Sequence, residues 1–582
     1  MFGKIIKIAD KLIIVENLKK ESLINIIGYY VVFEDTKKLV GEIVFVDENE
    51  FHIVLIGEIN NDRFISGVEN FPAITSVCRI IYKHELEYII GKQDFLLPQT
   101  LLLGNSSIYD GFNITVNVND FFSNHFAIIG NTGSGKSCGV ARIIQNLFAA
   151  NKQNPNNSHI IIFDTYGEYR TALESINTHA GINVKNYSTN NFLNVAEEVI
   201  KIPPYLLDVE DLALLLNLQD PELINILEKA LIYVSIFKGD EALTLEYKND
   251  VIANSLFKIL SSGRPAQQIS DQSLAFLSKY YTDKINLETI IVQPGYNRTI
   301  RQCLNVDAQG KVSALELLIE YLKNSSQINI ERTNLKPTQY TLEELYDGLE
   351  FAIITEDVDG TQEKLNGLKA RLHSIIIGEN KRIFEYPGFI SREAYIENIF
   401  KMGNGENAQI VDVNFNGIDD RLAKTIVKIL VKMFYKYTTS LTQKGSYPIN
   451  VIIEEAHRYI TKNDEDVIGY NIFDKVAKEG RKYGILLGLI TQRLCELSPN
   501  ALSQCSNFII FRMYYPDDIK MISSISSNVT MDTIEKVKSL RAGSALVFGT
   551  AFKVPLITHF DIPNPMPTSV NVNIEGNWFN QQ

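Results

Sequence analysis

Apolar residues in the first ~95 positions fall in short alternating runs, KIIKIA, LIIVENL, IIGYYVVFED, LVGEIVFVDE and EFHIVLIGEI, separated by charged or Gly/Asn-bearing turns. Alternation at period two is the pattern of half-buried strands, and many short strands at this spacing predict a small barrel or sandwich. From about Leu101 the rhythm changes. FAIIG (126–130) and HIIIFD (159–164) are continuous apolar runs alternating with helical stretches, the pattern of a parallel sheet covered by helices. Between about Ile202 and Glu350 segments such as DLALLLNLQDPELINILEKALIYV and SALELLIEYLKN replace the strands, which predicts a helical insertion. Strand runs resume with AQIVDV (408–413), NVIIEE (450–455), GILLGLIT (484–491), NFIIFRM (507–513) and SALVFG (544–549), completing the same sheet. The predicted fold class is α/β with a mainly parallel sheet. The predicted domains are a small β-barrel over 1–97, the first part of the core over 98–201, the helical insertion over 202–350, the second part of the core over 351–560, and a Pro- and Asn-rich extended arm over 561–582.

Composition narrows the function classes. A chain of 582 residues is too long for one core, and 45% hydrophobic with 21% charged residues is ordinary globular composition. No apolar run reaches the ~18 residues a membrane span needs. The start, MFGKIIKIADKLIIV, is interrupted by Lys4, Lys7, Asp10 and Lys11, so it reads as a strand and not as a signal peptide. The five cysteines are scattered without a CxxC pair, which predicts a reduced, cytoplasmic protein without structural zinc. A net charge of −13 excludes a protein that coats nucleic acid over its whole surface. Any grip on DNA is then confined to a locally basic channel. Lys364, Lys369, Arg371, Lys381 and Arg382 form one basic neighbourhood, read here as a solvated helix face.

The sharpest chemical signal is GNTGSGKS, which fits G-x-x-x-x-G-K-[ST] between an apolar strand and the helical run SCGVARIIQNLFAA. The backbone of Gly130, Asn131, Thr132, Gly133, Ser134, Gly135, Lys136, Ser137 and Cys138 is the expected cradle for the phosphates of ATP. Lys136 reaches the β/γ oxygens and Ser137 ligates Mg²⁺. NVIIEEAHRY puts Glu454 and Glu455 at the carboxyl end of an apolar strand, where ligands sit in parallel sheets. Two adjacent buried acids are costly unless a cation or a reacting water needs them. Glu454 is the candidate for supporting Mg²⁺ and Glu455 for polarising the attacking water. HIIIFDTYGEY places Asp164 at the end of the strand that follows the P-loop helix, a candidate to face the phosphates, with Glu168 four residues on either facing them too or belonging to a turn at Gly167. KEGRKYGILLGLITQR supplies Gln492 at one end of a buried strand, positioned to sense the γ-phosphate, and Arg481 at the other. Arg481 is either a surface residue between Lys478 and Lys482 or a residue that reaches another copy's nucleotide. His457 and His125 read as ordering or packing residues, and the cysteines as small core side chains.

Taken together, GNTGSGKS, FDTYGEY, VIIEEAHRY, KEGRKYGILLGLITQR and LSQCSNFIIFRM, with FPAI (71–74) near the start and RAGSALVFG followed by VPLITHFDIPNPMPTS near the end, resemble one family, the HerA-type translocases of the HerA/FtsK group. The resemblance runs nearly the whole chain. It implies a RecA-like P-loop NTPase core, a homohexamer with double-stranded DNA through its central channel, and no membrane. It also implies an N-terminal barrel that serves as a docking platform for a co-encoded effector, a nuclease or a sirtuin-like enzyme, in DNA end resection or bacterial anti-phage defence. The long insertion favours the defence branch. Arg481 would then act on the adjacent subunit's γ-phosphate, and the closing arm is similar to the segment that crosses a neighbour. Many relatives carry Arg-His before the P-loop strand. Here the pair is Asn124-His125, which leaves Arg481 as the single arginine candidate.

Two functions of different class fit: a DNA-stimulated ATPase motor, and a hexameric ATP-binding scaffold that assembles and activates an effector with little translocation. The acidic charge favours the scaffold, and the acid pair with Arg481 favours the motor. No LSGGQ-like stretch supports a transporter ATPase. NKQN (151–154) lacks the aspartate of a GTPase base motif.

Overall fold

The computed structural model describes residues 3–9, 12–17, 26–35, 37–149, 152–179, 181–189, 198–293, 295–325, 338–356, 362–462, 471–526, 529, 531–568 and 578. It divides into two compact units, one of Met1–Val199, Ser391–Glu465 and Gly469–Gln582, the other of Ile200–Ile390 with Asp466–Ile468.

The first unit opens with strands β1 (Gly3–Ala9), β2 (Leu12–Asn17), β3 (Tyr30–Glu34), β4 (Lys38–Val46), β5 (Glu50–Asn60), β6 (Arg63–Ser66) and β7 (Val77–Ile80). They pair in the order β2-β1-β7-β3-β4-β5-β6, and a further pairing of β2 with β5 closes six of them into a barrel. Inward-facing Ile13, Val15, Val31, Phe33, Ile43, Phe51 and Ile53 fill it. β3 is buried on both faces, which explains why its YVVF reads as a continuous apolar run. Val31 and Phe33 enter the barrel, whereas Tyr30 and Val32 join a larger cluster with Leu101, Phe121 and Phe126 of the following domain. The backbone N–H of Tyr30 donates to the Tyr109 hydroxyl across that seam (2.6 Å).

The second sheet begins with β8 (Thr100–Ser106), β9 (Asn113–Asn117), β10 (Phe126–Ile129), β11 (Ile160–Asp164), β12 (Val184–Ser188) and β13 (Glu198–Val199). The chain then leaves for the second unit. Its helices include Pro221–Lys238, Glu241–Leu260, Ala266–Lys279, Leu315–Ser325, Leu342–Glu356 and Gln362–Ile377, built around Phe351, Phe276 and Leu318. The unit differs from the sequence expectation in two ways. A hairpin, β14 (Ile290–Gln293) with β15 (Tyr296–Thr299), interrupts the helices, and the unit continues past residue 350 to Ile390. It continues because helix Leu342–Glu356 packs on Pro221–Lys238 with Leu345, Leu349 and Ala352 buried, so a boundary at 350 would cut a helix through its core face. The basic neighbourhood of this unit is largely paired. Lys364 meets Asp220, Lys369 meets Glu350 and Lys381 meets Glu343, each at 2.7 Å, and Arg371 donates to the carbonyls of Leu216 and Asn217.

Back in the first unit, β16 (Ile410–Asn414), β17 (Ile449–Ile453), β18 (Ile485–Thr491), β19 (Asn507–Phe511), β20 (Ser544–Gly549) and β21 (Leu556–His559) complete a 12-stranded sheet ordered β13-β12-β16-β11-β17-β18-β10-β19-β20-β21-β8-β9. Pairing is parallel from β13 to β19 and antiparallel beyond. Gly488 in the middle of β18 makes room for its neighbour: a Cβ there would lie 2.4 Å from the Phe126 ring. After β21, residues 561–568 run over helix Lys136–Leu147, where Gln145 holds the N–H of Asn564 and the carbonyl of Pro565, both at 3.0 Å. Of the predicted arm, residues 569–577 and 579–582 lie outside the described residues. Among the described residues no helix is long and apolar enough to cross a membrane.

A buried charge cluster fixes the exit from the barrel. Glu85, in helix Lys83–Ile90, is 1% exposed and accepts from Arg79 Nη1 and Nη2 (2.7 and 2.8 Å), Lys38 Nζ (2.8 Å) and the N–H of Tyr82 (3.1 Å). Burial alone would raise its carboxyl, but these hydrogen bonds outweigh it and hold the group down at about 2. Relative to the ordinary 4.5 this contributes about 3 kcal/mol, fully present above 4.5 and lost as the pH falls through about 2. Glu85→Gln is therefore expected to lower stability by about 3 kcal/mol at neutral pH. In denaturant titrations the gap to wild type should close as the pH falls from 4.5 toward 2. A gap independent of pH would contradict the assignment.

Candidate functional site

Parallel register brings four strand ends together. Ile129 of β10 lies opposite Thr491 of β18 and Ile510 of β19, Ile453 of β17 opposite Leu489, and Phe163 of β11 opposite Ile453. The loops after these strands carry Gly130–Ser137, Asp164–Glu168, Glu454–His457 and Gln492.

The first loop is tied down by its neighbours' backbones. The N–H of Gly130 donates to the Thr491 carbonyl (3.2 Å), that of Asn131 to the Arg512 carbonyl (3.1 Å), and that of Gly543 to the Ser134 carbonyl (2.9 Å). Gly133 and Gly135 have φ of 72° and 100°, the left-handed region that glycine enters without a Cβ clash. Gly135 is also in tight contact: a Cβ would meet the backbone nitrogen of Gly543 at 2.7 Å. The turn aims the amino end of helix Lys136–Leu147 into the space the four loops surround, which suits an anion. Lys136 is only 6% exposed, with Nζ 3.5 Å from Glu455 Oε1. The buried Ser134 hydroxyl has no hydrogen-bond partner. Ser137 and Cys138 are half-buried at the helix start, and burial raises the Cys138 thiol.

Opposite the loop stand the carboxylates. Asp164 is fully buried and accepts from the N–H groups of Tyr166 (3.2 Å), Gly167 (2.8 Å) and Tyr169 (2.9 Å), which shapes the Asp164–Tyr169 turn. Glu454, 2% exposed, accepts from the N–H of Thr165 (3.2 Å), and the Thr165 hydroxyl donates to the Glu454 carbonyl (3.0 Å). Burial, then the charge of Asp164, pushes the Glu454 carboxyl well above the ordinary range, and Asp164 is raised by burial as well. Glu168 is likewise raised, by burial and by Asp164, with the Ser137 hydroxyl and Lys136 opposing.

Glu455 has left-handed backbone, φ 47°. Its Oε1 accepts from Gln492 Nε2, and Gln492 Oε1 in turn accepts from the hydroxyl of Thr132 in the first loop (2.5 Å). Its Oε2 is buried without a hydrogen-bond partner. An unshared carboxylate oxygen at this position has free lone pairs for a water proton. The structure thus gathers Gly130 to Cys138, Asp164, Glu454, Glu455 and Gln492. It does not bring in Arg481, which is exposed in the last turn of helix Ile472–Tyr483, before β18 begins. The seven residues of β18 separate it from Gln492 by roughly 20 Å. Asn124 and His125 are committed to backbone. Asn124 Nδ2 donates to the Asp120 carbonyl (2.8 Å), and His125 Nδ1 accepts from the N–H of Leu487 (2.9 Å), with burial lowering its imidazole to about 4.

Residues 102–434, more than half of the chain, match the family model described as "Helicase HerA, central domain". The chain belongs to the HerA helicase family. A probable helicase of Methanocaldococcus jannaschii is 26% identical over 509 residues, 86% of this chain and 79% of that protein. The probable DNA double-strand break repair helicase HerA of the same organism is 23% identical over 561 residues, 95% and 94% of the two chains. Among solved structures, VirB4 of Thermoanaerobacter pseudethanolicus is loosely similar, with a TM-score of 0.41 and 12% identity over 79% of this chain and 96% of that one.

As a HerA-family P-loop ATPase the chain hydrolyses ATP, and its residues fit the nucleotide and a Mg²⁺ ion beside it. The cradle offers backbone N–H groups, Lys136 and the unpartnered Ser134 hydroxyl to phosphates. Among the described residues no group of three or more His, Cys, Asp or Glu side chains is arranged to hold a metal by itself. Mg²⁺ takes one or two protein ligands and phosphate oxygens for the rest, and Ser137 and Glu454 are the side chains that would hold it here. Sequence reasoning missed the Gly543 loop and the Thr132–Gln492 link, and it named His457 as an ordering or packing residue without its partners: Nδ1 lies 3.0 Å from Thr491 Oγ1 and 3.3 Å from Glu455 Oε2. The one signal for His457 was its position two residues after Glu455.

Gly135→Ala is expected to cost roughly 1–2 kcal/mol in left-handed strain, about tenfold in nucleotide affinity if the loop must shift to relieve it. Titration with a fluorescent ATP analogue measures this, and an unchanged affinity would contradict the tight Gly135–Gly543 contact.

Proposed function

We propose that this chain is one subunit of a homohexameric, DNA-translocating ATPase, with double-stranded DNA in the central channel and a co-encoded nuclease or sirtuin-like effector docked on the N-terminal barrel, acting in DNA processing or anti-phage defence. The observation that carries the reading is the location of Arg481. It is solvent-exposed and roughly 20 Å along β18 from Gln492, so its guanidinium meets a γ-phosphate only when another copy presents one. A ring supplies that copy. In each site Lys136 and the loop amides hold the phosphates, Gln492 contacts the γ-phosphate, Glu455 Oε2 takes the proton of the attacking water, and the neighbour's Arg481 stabilises charge on the transferring group. When bound, Mg²⁺ neutralises charge on the β- and γ-oxygens.

The names of the relatives, helicases of double-strand break repair, support DNA as the track. The pairing of Lys364, Lys369, Arg371 and Lys381 within the helical unit argues that its basic stretch is not the grip. The net charge of −13 supports the second reading, an ATP-driven scaffold that licenses an effector.

Steady-state ATP turnover with and without duplex DNA separates the two. The motor predicts stimulation by DNA, and turnover indifferent to DNA, with no DNA binding, would overturn it. For the shared site, Arg481→Ala alone is expected to lose on the order of 10³-fold or more in turnover. Mixing it with Lys136→Ala subunits should restore part of that activity, because some interfaces then pair an intact loop with an intact arginine. Absence of rescue at every mixing ratio would count against a site completed by a neighbour.

A further inference from the structure

The half-buried imidazole of His457 packs against this centre and has no part in the reading of the site given above. Glu455 leaves β17 with φ 47° and ψ 47°, a conformation that costs a non-glycine residue roughly 1–2 kcal/mol. That twist starts the tight turn Ala456–Arg458, in which the N–H of Arg458 donates to the Glu455 carbonyl (2.8 Å). The turn folds His457 back over the carboxylate two residues before it. Its Nδ1 stands 3.3 Å from Glu455 Oε2 and 3.0 Å from Thr491 Oγ1, and the Thr491 oxygen is itself fixed by the N–H of Arg493 (3.0 Å). The side chain is 14% exposed. Burial lowers the imidazole below its ordinary range, against the pull of Glu455 and Glu496 and with help from Arg493 and Lys136.

The two carboxylate oxygens of Glu455 therefore have different surroundings. Oε1 is held by Gln492 and lies near Lys136, while Oε2 makes no hydrogen bond. The last torsion of a glutamate is broad, so a carboxylate gripped at one oxygen still swings at the other. A contact of 3.3 Å is longer than a good N–H···O hydrogen bond, so it limits that swing without occupying the lone pairs a water proton needs. We propose that His457 is a positioning residue: anchored on β18 through Thr491, it fixes the rotation of the Glu455 carboxylate so that Oε2 faces the attacking water. It touches neither nucleotide nor water, and acts on the rate of hydrolysis through Glu455. The inference rests on the reading of Glu455 as the base.

The test measures kcat and KM for ATP, with thermal unfolding, for full-length His457→Ala, His457→Asn and Glu455→Gln. The asparagine amide nitrogen lies where Nδ1 lies. His457→Ala is expected to lower kcat roughly ten- to a hundredfold, the usual cost of losing a group that orients a working side chain, with KM within twofold of wild type. His457→Asn should recover most of kcat. An unchanged kcat in His457→Ala, a raised KM with kcat preserved, or a His457→Asn as slow as His457→Ala would each overturn the proposal. Should His457→Ala not fold, His457→Asn decides alone: near-wild-type kcat supports positioning by a polar group at the Nδ1 position, and a collapsed kcat refutes it. Glu455→Gln separates the two levels. If it hydrolyses ATP normally, the base assignment fails; if it is inactive while His457→Ala is normal, only the role of His457 fails.

Discussion

Parallel pairing sends every loop that follows a strand to the same edge of a sheet, and in this molecule that constraint decides which side chains can meet. Between β16 and β19 the pairing is parallel throughout, with Ile129 level with Thr491 and Ile453 level with Leu489. A one-residue slip would turn the side chains of β17 and β18 to the opposite faces of the sheet and displace the loops that carry Glu454, Glu455 and Gln492. Register is protected by burial on both sides of the sheet. β11 and β18 are buried along their whole length, and Phe126 lies against the bare Cα of Gly488. The chemistry of the site depends on this packing more than on any hydrogen bond within it.

What the sheet gathers is electrostatically expensive. Asp164, Glu454 and Glu455 are each at most 2% exposed, with one buried lysine, Lys136, among them. Burial raises the first two carboxyls, and the backbone hydrogen bonds to Asp164 offset only part of that cost. Such a cluster is selected for function and not for stability. It is tolerated because the surrounding units carry stability of their own: the closed barrel, the Arg79–Glu85 clamp, and the shared cluster around Tyr30 and Phe126. The barrel is consequently continuous with the P-loop domain in its packing.

How much of this was legible in the sequence depends on how local each feature is. The cradle is local: phosphates are recognised by backbone amides, so GNTGSGKS between a strand and a helix carries its own meaning. Glu454 and Glu455 were legible because polar residues ending an apolar run must face something. The contact of Gly135 with Gly543, the link from Thr132 to Gln492 and the packing of His457 on Thr491 were not, because each joins strands whose adjacency only the sheet order reveals. β7, which joins β1 to β3 in the barrel, has only four residues, VCRI, too short a run to announce a strand. The hairpin β14–β15 was hidden inside helical periodicity although Gly295, at φ 85°, marks its turn. The end of the second unit was missed because a helix boundary and a domain boundary look alike in one sequence.

The measurement that tests the account most directly is a structure of the assembled protein with Mg²⁺ and ADP–beryllium fluoride. The account predicts the fluoride group within hydrogen-bond reach of Lys136 and Gln492, Mg²⁺ on the Ser137 hydroxyl, and Glu455 Oε2 facing the attacking position, at the common edge of β10, β11, β17 and β18. A nucleotide bound elsewhere, or bound there with Glu455 turned away from it, would contradict the claim that strand register builds the active centre.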